Sequence, residues 1–130
     1  MSKLEFAPLV RRIELPDMVA YAGATWDWHR LHYDPAYLAA RGLDRPVVDG
    51  QVFGAYLAIA LRGWLGPDSV LTDLSFRFRS LVFAGETIRC RGELRSVQDG
   101  VADVDLRVEV VEDGRLAVAP ASARLRLPHE

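Results

Sequence analysis

The sequence predicts one α+β domain in which an antiparallel sheet curves round a single long helix. Three observations carry that expectation. The second half of the chain alternates apolar and polar residues with period two, strand after strand. The segment from Val52 to Leu65 is apolar at helical spacing and mostly small or apolar elsewhere, the mark of a buried helix. Neither half of a 130-residue chain is large enough to bury a good core alone, so the two must share one. The expected domain spans residues 1–130.

The elements follow in order. Phe6 to Leu15 reads as a short strand. Pro16 suits a first helical turn and Asp17 lies beside the positive end of the dipole; Met18, Val19, Tyr21 and Ala22 then give an apolar face up to Gly23. An aromatic, polar loop, TWDWHRLHY, comes next. A second short helix has Asp34 as N-cap, Pro35 in its first turn and Gly42 past its end. The third helix runs from Asp49, a suitable N-cap, to the stop at Gly66-Pro67. Its buried stripe is Val52, Phe53, Tyr56, Leu57, Ala60, Leu61 and Trp64.

Four strands follow, with inward sets Leu74, Phe76, Phe78; Ile88, Cys90, Gly92, Leu94; Val104, Leu106, Val108, Val110; and Ala121, Ala123, Leu125, Leu127. Asp99-Gly100 and Asp113-Gly114 are hairpin turns. The expected product is an antiparallel meander with one apolar face laid on the long helix, the hot-dog arrangement.

Composition narrows the function. Lys plus Arg number 16 and Asp plus Glu 18, so no basic excess points to nucleic acid or to an anionic membrane surface. No apolar run is long enough to span a bilayer, and the opening MSKLEFAPLVRR lacks the apolar core of a secretory signal. With Cys90 as the one cysteine, neither an internal disulfide nor a cysteine metal cage is expected, and a cytoplasmic location fits.

The chemistry-bearing residues concentrate in one loop. Asp27, His29, His32 and Asp34 lie within eight residues, framed by Trp26, Trp28 and Tyr33. Two His and two Asp are a possible metal set, but the HxxH spacing is a weak signal and no second ligand cluster exists, so no metal is expected. Asp34 is read as the cap of the second helix. For Asp27 and His32 the spacing leaves two readings open: a hydrogen-bonded loop, or a carboxylate and imidazole acting as an acid–base pair in a partly dry aromatic pocket.

These residues carry a resemblance. Asp27-Trp28-His29-Arg30-Leu31-His32-Tyr33-Asp34-Pro35 resembles the D-x-N-P-x-H-x-D signature of the MaoC-like hot-dog enoyl-thioester hydratases and dehydratases. Arg45-Pro46-Val47-Val48-Asp49-Gly50 is similar to that family's R-P-[IV]-[AV]-H-G, and Gly85-Glu86-Thr87 to its G-[DE]-T turn. The resemblance runs from Pro16 to Leu127. It departs at three positions: His29 stands for the family Asn, Arg30 for the Pro after it, and Asp49 for the His of the H-G pair. By motif it implies Asp27 and His32 as the catalytic acid–base pair. It implies Gly50 as the oxyanion donor at the helix start, with His29 and Asp49 beside the substrate. A helix N-terminus offers unpaired N–H groups and a positive dipole end, and Gly admits a close approach.

The implied activity is reversible addition of water to a trans-2-enoyl-CoA or enoyl-carrier-protein. It needs no metal or redox cofactor, since CoA or an acyl-carrier arm is part of the substrate. A homodimer, or a heterodimer with a related hot-dog chain, is expected. Two alternatives stand beside it. One is a hot-dog acyl-CoA thioesterase. The other is a non-catalytic hot-dog subunit that binds an acyl group or completes a partner's site.

Overall fold

The computed structural model describes residues 4–129. Its elements are β1 (Leu9–Arg12), α1 (Leu15–Thr25), α2 (Pro35–Ala40), α3 (Gln51–Leu65), β2 (Val70–Phe78), β3 (Thr87–Gln98), β4 (Val101–Val110) and β5 (Leu116–Arg126), with a 3-10 turn at Arg30–His32. The first strand is shorter than the sequence suggests because only Leu9 to Arg12 pair with β3. Helix α1 begins at Leu15, with the Glu14 N–H donating to the Asp17 carboxylate at 2.9 Å. It runs to Thr25, past the expected end at Gly23.

The strands form one antiparallel sheet in the order β1-β3-β4-β5-β2. β3, β4 and β5 are the expected meander. At Asp99-Gly100 both residues adopt positive φ, 53° and 75°, and close a two-residue turn between Gln98 and Val101. The second turn is longer. Only Gly114 has positive φ there, and its N–H donates to Val110 O at 2.8 Å.

β2 departs from a simple meander: it pairs with β5 at the far edge of the sheet rather than with β3. The segment linking β2 to β3 runs back past the start of α3 and finds its partners there. Val48 N–H donates to Val82 O at 2.7 Å and Ala84 N–H to Pro46 O at 2.9 Å, with Val47 and Phe83 in a bridge.

The core lies between α3 and the concave face of the sheet. Phe53, Leu57 and Leu61 of α3 meet Ile88, Cys90, Val104, Val108 and Leu125 from three strands. Tyr56, Ala60 and Trp64 flank them half-buried, so the expected stripe faces the sheet. The helix is wrapped on one side only: Ala55, Ile59 and Gly63 remain exposed. Gly92 of β3 permits the closest contact in this core. A Cβ there would stand 2.2 Å from the Phe6 ring, which packs edge-on against Trp64.

One buried ion pair fixes the crossing segment. Glu86 is 7% exposed and pairs with Arg115, whose guanidinium also donates to Leu81 O at 3.0 Å. Glu86 in turn accepts the Phe83 N–H at 2.8 Å. Removing one member strands the other in the interior. Arg115→Ala is therefore expected to cost about 3–5 kcal/mol in chemical denaturation. Arg124→Ala, which breaks a solvent-exposed pair with Asp103, should leave stability nearly unchanged. Equal losses would show that the Glu86 pair does not hold the segment.

Candidate active site

The site is built where the loop after α1 meets the start of α3. Helix α1 ends on Trp26 in the left-handed region, φ 59°, which turns the chain before Asp27. Local caps then stiffen the loop. His29 Nδ1 accepts the Leu31 N–H at 3.0 Å. The Asp34 carboxylate accepts the Ala36 and Tyr37 N–H groups at 3.0 and 3.3 Å and the Arg30 guanidinium at 2.9 Å. Asp34 is the helix cap that the sequence suggests.

His32 is oriented by the backbone. Its Nδ1 lies 2.6 Å from Val47 O. A carbonyl only accepts, so Nδ1 carries the hydrogen and Nε2 is the ring nitrogen left for chemistry. Val47 is itself pinned, its N–H donating to Leu31 O at 3.1 Å.

Asp49 sits two residues before the first residue of α3. Its Oδ1 accepts the Gln51 N–H at 3.0 Å and its carbonyl accepts the Val52 N–H at 3.1 Å. The capping expected of Asp49 is therefore present, although Gly50 occupies the N-cap position. The Asp49 side chain also reaches the loop. Asp27, His32 and Asp49 each offer a polar atom within 4.8 Å of those of the other two. Among the described residues this trio is the one group of three such side chains close enough to surround a single cation.

The two carboxyls sit in different environments. The neighbouring Asp49 carboxyl, then the His29 N–H, hold the Asp27 carboxyl below its ordinary range. Burial, then the neighbouring Asp27 carboxyl, push Asp49 above it. Burial, followed by the nearby charges of Asp49 and Asp27, raises the Tyr21 phenol. Burial pushes the Cys90 thiol up to about 12, far from thiolate chemistry.

Two hollows meet at His32. A narrow cavity of about 20 Å³ is bounded by Asp27, His32, Asp49, Tyr21, Val52 and Tyr56, among others. It has room for about one water molecule. A groove of about 270 Å³ on the other side is walled by His32, Val48, Gly50, Phe53 and Phe78. Gly50 is glycine here for a visible reason: a Cβ would stand 2.5 Å from the Phe78 ring. Phe78 is half exposed at the end of β2, past a register shift, and lies over the helix start. Gly50 N–H has no acceptor among the described residues.

The structure thus brings Asp27, His32, Asp49 and Gly50 together around α3's first turn. His29 stands beside them, exposed, with its Nδ1 used in the turn and its ring against Tyr37 at 5.6 Å. The aromatic frame differs from expectation. Trp26, Trp28 and Tyr33 stack edge to edge on the surface, with Trp26 79% exposed, while Tyr21 and Tyr56 line the cavity. Neither tyrosine drew attention in the sequence, because each occupies an ordinary inward position of an amphipathic helix. Phe78, which the alternation of its strand assigns to the inward face with Leu74 and Phe76, is instead 52% exposed, because the register shift at the end of β2 carries it off the core.

A hot-dog domain with an Asp–His–Asp cluster at the start of its central helix is the class that fold and site define. Residues 6–114 match the family described as MaoC like domain, and the chain belongs to that family of hydratases and dehydratases. It is 25% identical over 123 residues to an (R)-specific enoyl-CoA hydratase of Aeromonas caviae, covering 94% of this chain and 92% of that protein. A solved (R)-hydratase from A. caviae involved in PHA biosynthesis superposes with a TM-score of 0.87 at 28% identity, covering 95% and 94% of the two chains. A chain of the Mycobacterium tuberculosis ChsH1-ChsH2 complex shares the fold, with a TM-score of 0.86 and 22% identity over 95% of this chain. No helix among the described residues is long and apolar enough to cross a membrane.

Proposed function

We propose that this chain catalyses the reversible hydration of a trans-2-enoyl thioester, with Asp27 and His32 as its acid–base pair and Gly50 as its oxyanion donor. The observation that carries the reading is the cavity of about 20 Å³, sized for one water and bounded by Asp27 and His32, which adjoins the groove at Gly50. The A. caviae relative, whose name specifies an enoyl-CoA, supports CoA as the thioester arm.

In the hydration direction the enoyl thioester enters the groove with its carbonyl oxygen toward the Gly50 N–H. Asp27 and His32 hold a water on the other side. The water oxygen bonds to the β carbon as one O–H proton passes to the pair, and the electron pair of the C=C bond moves onto the thioester oxygen. The helix N-terminus stabilises that developing charge. The enolate then collapses and takes the proton at the α carbon, so the pair returns to its starting state. Dehydration is the reverse. The step calls for no metal and no redox cofactor, and CoA enters as part of the substrate.

The reading includes a second hot-dog chain. β2 is an edge strand of nine residues, and an edge of that length is a pairing template. A homodimer, or a heterodimer with a related chain, would cover it. For a homodimer light scattering gives twice the chain mass, for a heterodimer the doubled mass forms only with the related chain, and an active monomer would contradict either assembly.

The acid–base assignment is tested by loss of the enoyl absorbance of crotonyl-CoA. Asp27→Asn and His32→Ala are each expected to slow hydration about 10²-fold or more while remaining folded, because neither side chain belongs to the core. If both variants keep the parent rate, the pair is misassigned.

A further inference from the structure

We propose that Asp49 is a positioning residue of this centre: its carboxyl and that of Asp27 share one proton, and the protonated Asp49 holds the Asp27 carboxylate toward His32. This rests on the hydratase reading for its role in turnover, while the shared proton rests on the placement of the two carboxyls and on what surrounds them.

Two observations carry it. Asp49 is locked from below, with Oδ1 accepting the Gln51 N–H at 3.0 Å, yet one of its carboxyl oxygens lies within 4.8 Å of an Asp27 carboxyl oxygen and of a His32 ring nitrogen. Two carboxylates offer four acceptor oxygens and no donor, so a pair this close repels until a proton sits on one and is donated to the other. The surroundings supply no substitute. The titratable groups facing the pair are Asp17 and Tyr21 of α1, His29 and His32 of the loop, and Tyr56 of α3. No Lys or Arg lines the cavity. Two like charges so close hold a proton that isolated carboxyls would have lost.

The asymmetry assigns the roles. Asp27 also accepts the His29 N–H at 3.3 Å and is the better carboxylate, while Asp49 is the more buried and retains the proton. Asp49 therefore keeps a second negative charge away from a helix terminus that must stabilise an enolate. Loss of its proton on raising the pH would put two charges there, push Asp27 aside and slow turnover.

The test compares the full-length protein with Asp49→Asn and Asp49→Ala. Asparagine keeps an oxygen for Gln51 and presents a permanent N–H to Asp27, so it mimics the protonated acid. In carboxyl-¹³C NMR titrations, one aspartate of the pair should titrate below the ordinary Asp range and the other above it, and Asp49→Asn should abolish the upper step. With crotonyl-CoA, Asp49→Asn should keep the rate within about threefold, the scale of one altered hydrogen bond, and lose the alkaline fall of the parent. Asp49→Ala should lose about tenfold or more through misplacement of Asp27.

A raised carboxyl pKa in the folded state contributes stability that is lost as pH rises through it. Asp49→Asn should therefore melt higher than the parent above the upper step and not below it. The inference is overturned if both carboxyls titrate in the ordinary range, or if Asp49→Asn slows turnover as much as Asp27→Asn. It is also overturned if magnesium or zinc raises the melting temperature of the parent but not of Asp49→Asn, since a cation would then do the proton's work. If the parent does not hydrate crotonyl-CoA, the hydratase reading fails, while the NMR titration still decides the shared proton.

Discussion

Residues 46–48 lie against residues 82–84 in a short backbone ladder, and the candidate site depends on it. The contacts between Val48 and Val82 and between Pro46 and Ala84 hold the lead-in to α3 at one place. From that place Val47 turns its carbonyl to His32 Nδ1 and so selects which ring nitrogen is free. Two residues later Asp49 caps α3 and meets Asp27. The buried Glu86–Arg115 pair anchors the other side of the ladder, through Leu81 and Phe83. A charge buried some distance from the chemistry thus sets the geometry of the site, because a ladder has one register and each slip would move every group aimed from it.

The site is also an electrostatic arrangement. The start of α3 offers unpaired N–H groups and a positive dipole end. One carboxyl, Asp49, uses that end as a cap; a second, Asp27, is held within reach of it. Such a pair works against the helix terminus when both are ionised and with it when one is neutral. The neighbouring Asp49 carboxyl, the His29 N–H and the charges of His32 and His29 draw Asp27 down while burial pushes Asp49 up, which separates an acid from a base. The apolar surroundings, Val48 and Val52 among them, make that separation possible.

Much of the fold was legible in the sequence because periodicity reports burial directly. The stripe Val52, Phe53, Leu57, Leu61 and the alternating sets of β3, β4 and β5 lie where their spacing suggests, and Asp34 and Asp49 cap as their positions suggest. The place of β2 was not legible: its alternation shows a strand, while its partner is decided by where residues 79–86 travel, which no local pattern encodes. The exposed side of α3 was misjudged for a related reason, since Ala55, Ile59 and Gly63 are small or apolar without being covered by this sheet. At the site, Asp27 and His32 drew notice by spacing and by family resemblance. The approach of Asp49 to Asp27 crosses 22 positions of chain and could not be read from either residue. Tyr21 and Tyr56 look like core residues because, for most of their surface, they are.

The central claim is that this centre adds water across an enoyl double bond. Incubation of the protein with crotonyl-CoA in ¹⁸O-labelled water, followed by mass spectrometry of the products, tests it most directly. The account predicts label in the 3-hydroxyl group of an intact thioester, with no free thiol released. Label in a free carboxylate with release of CoA, or no incorporation at all, would contradict it.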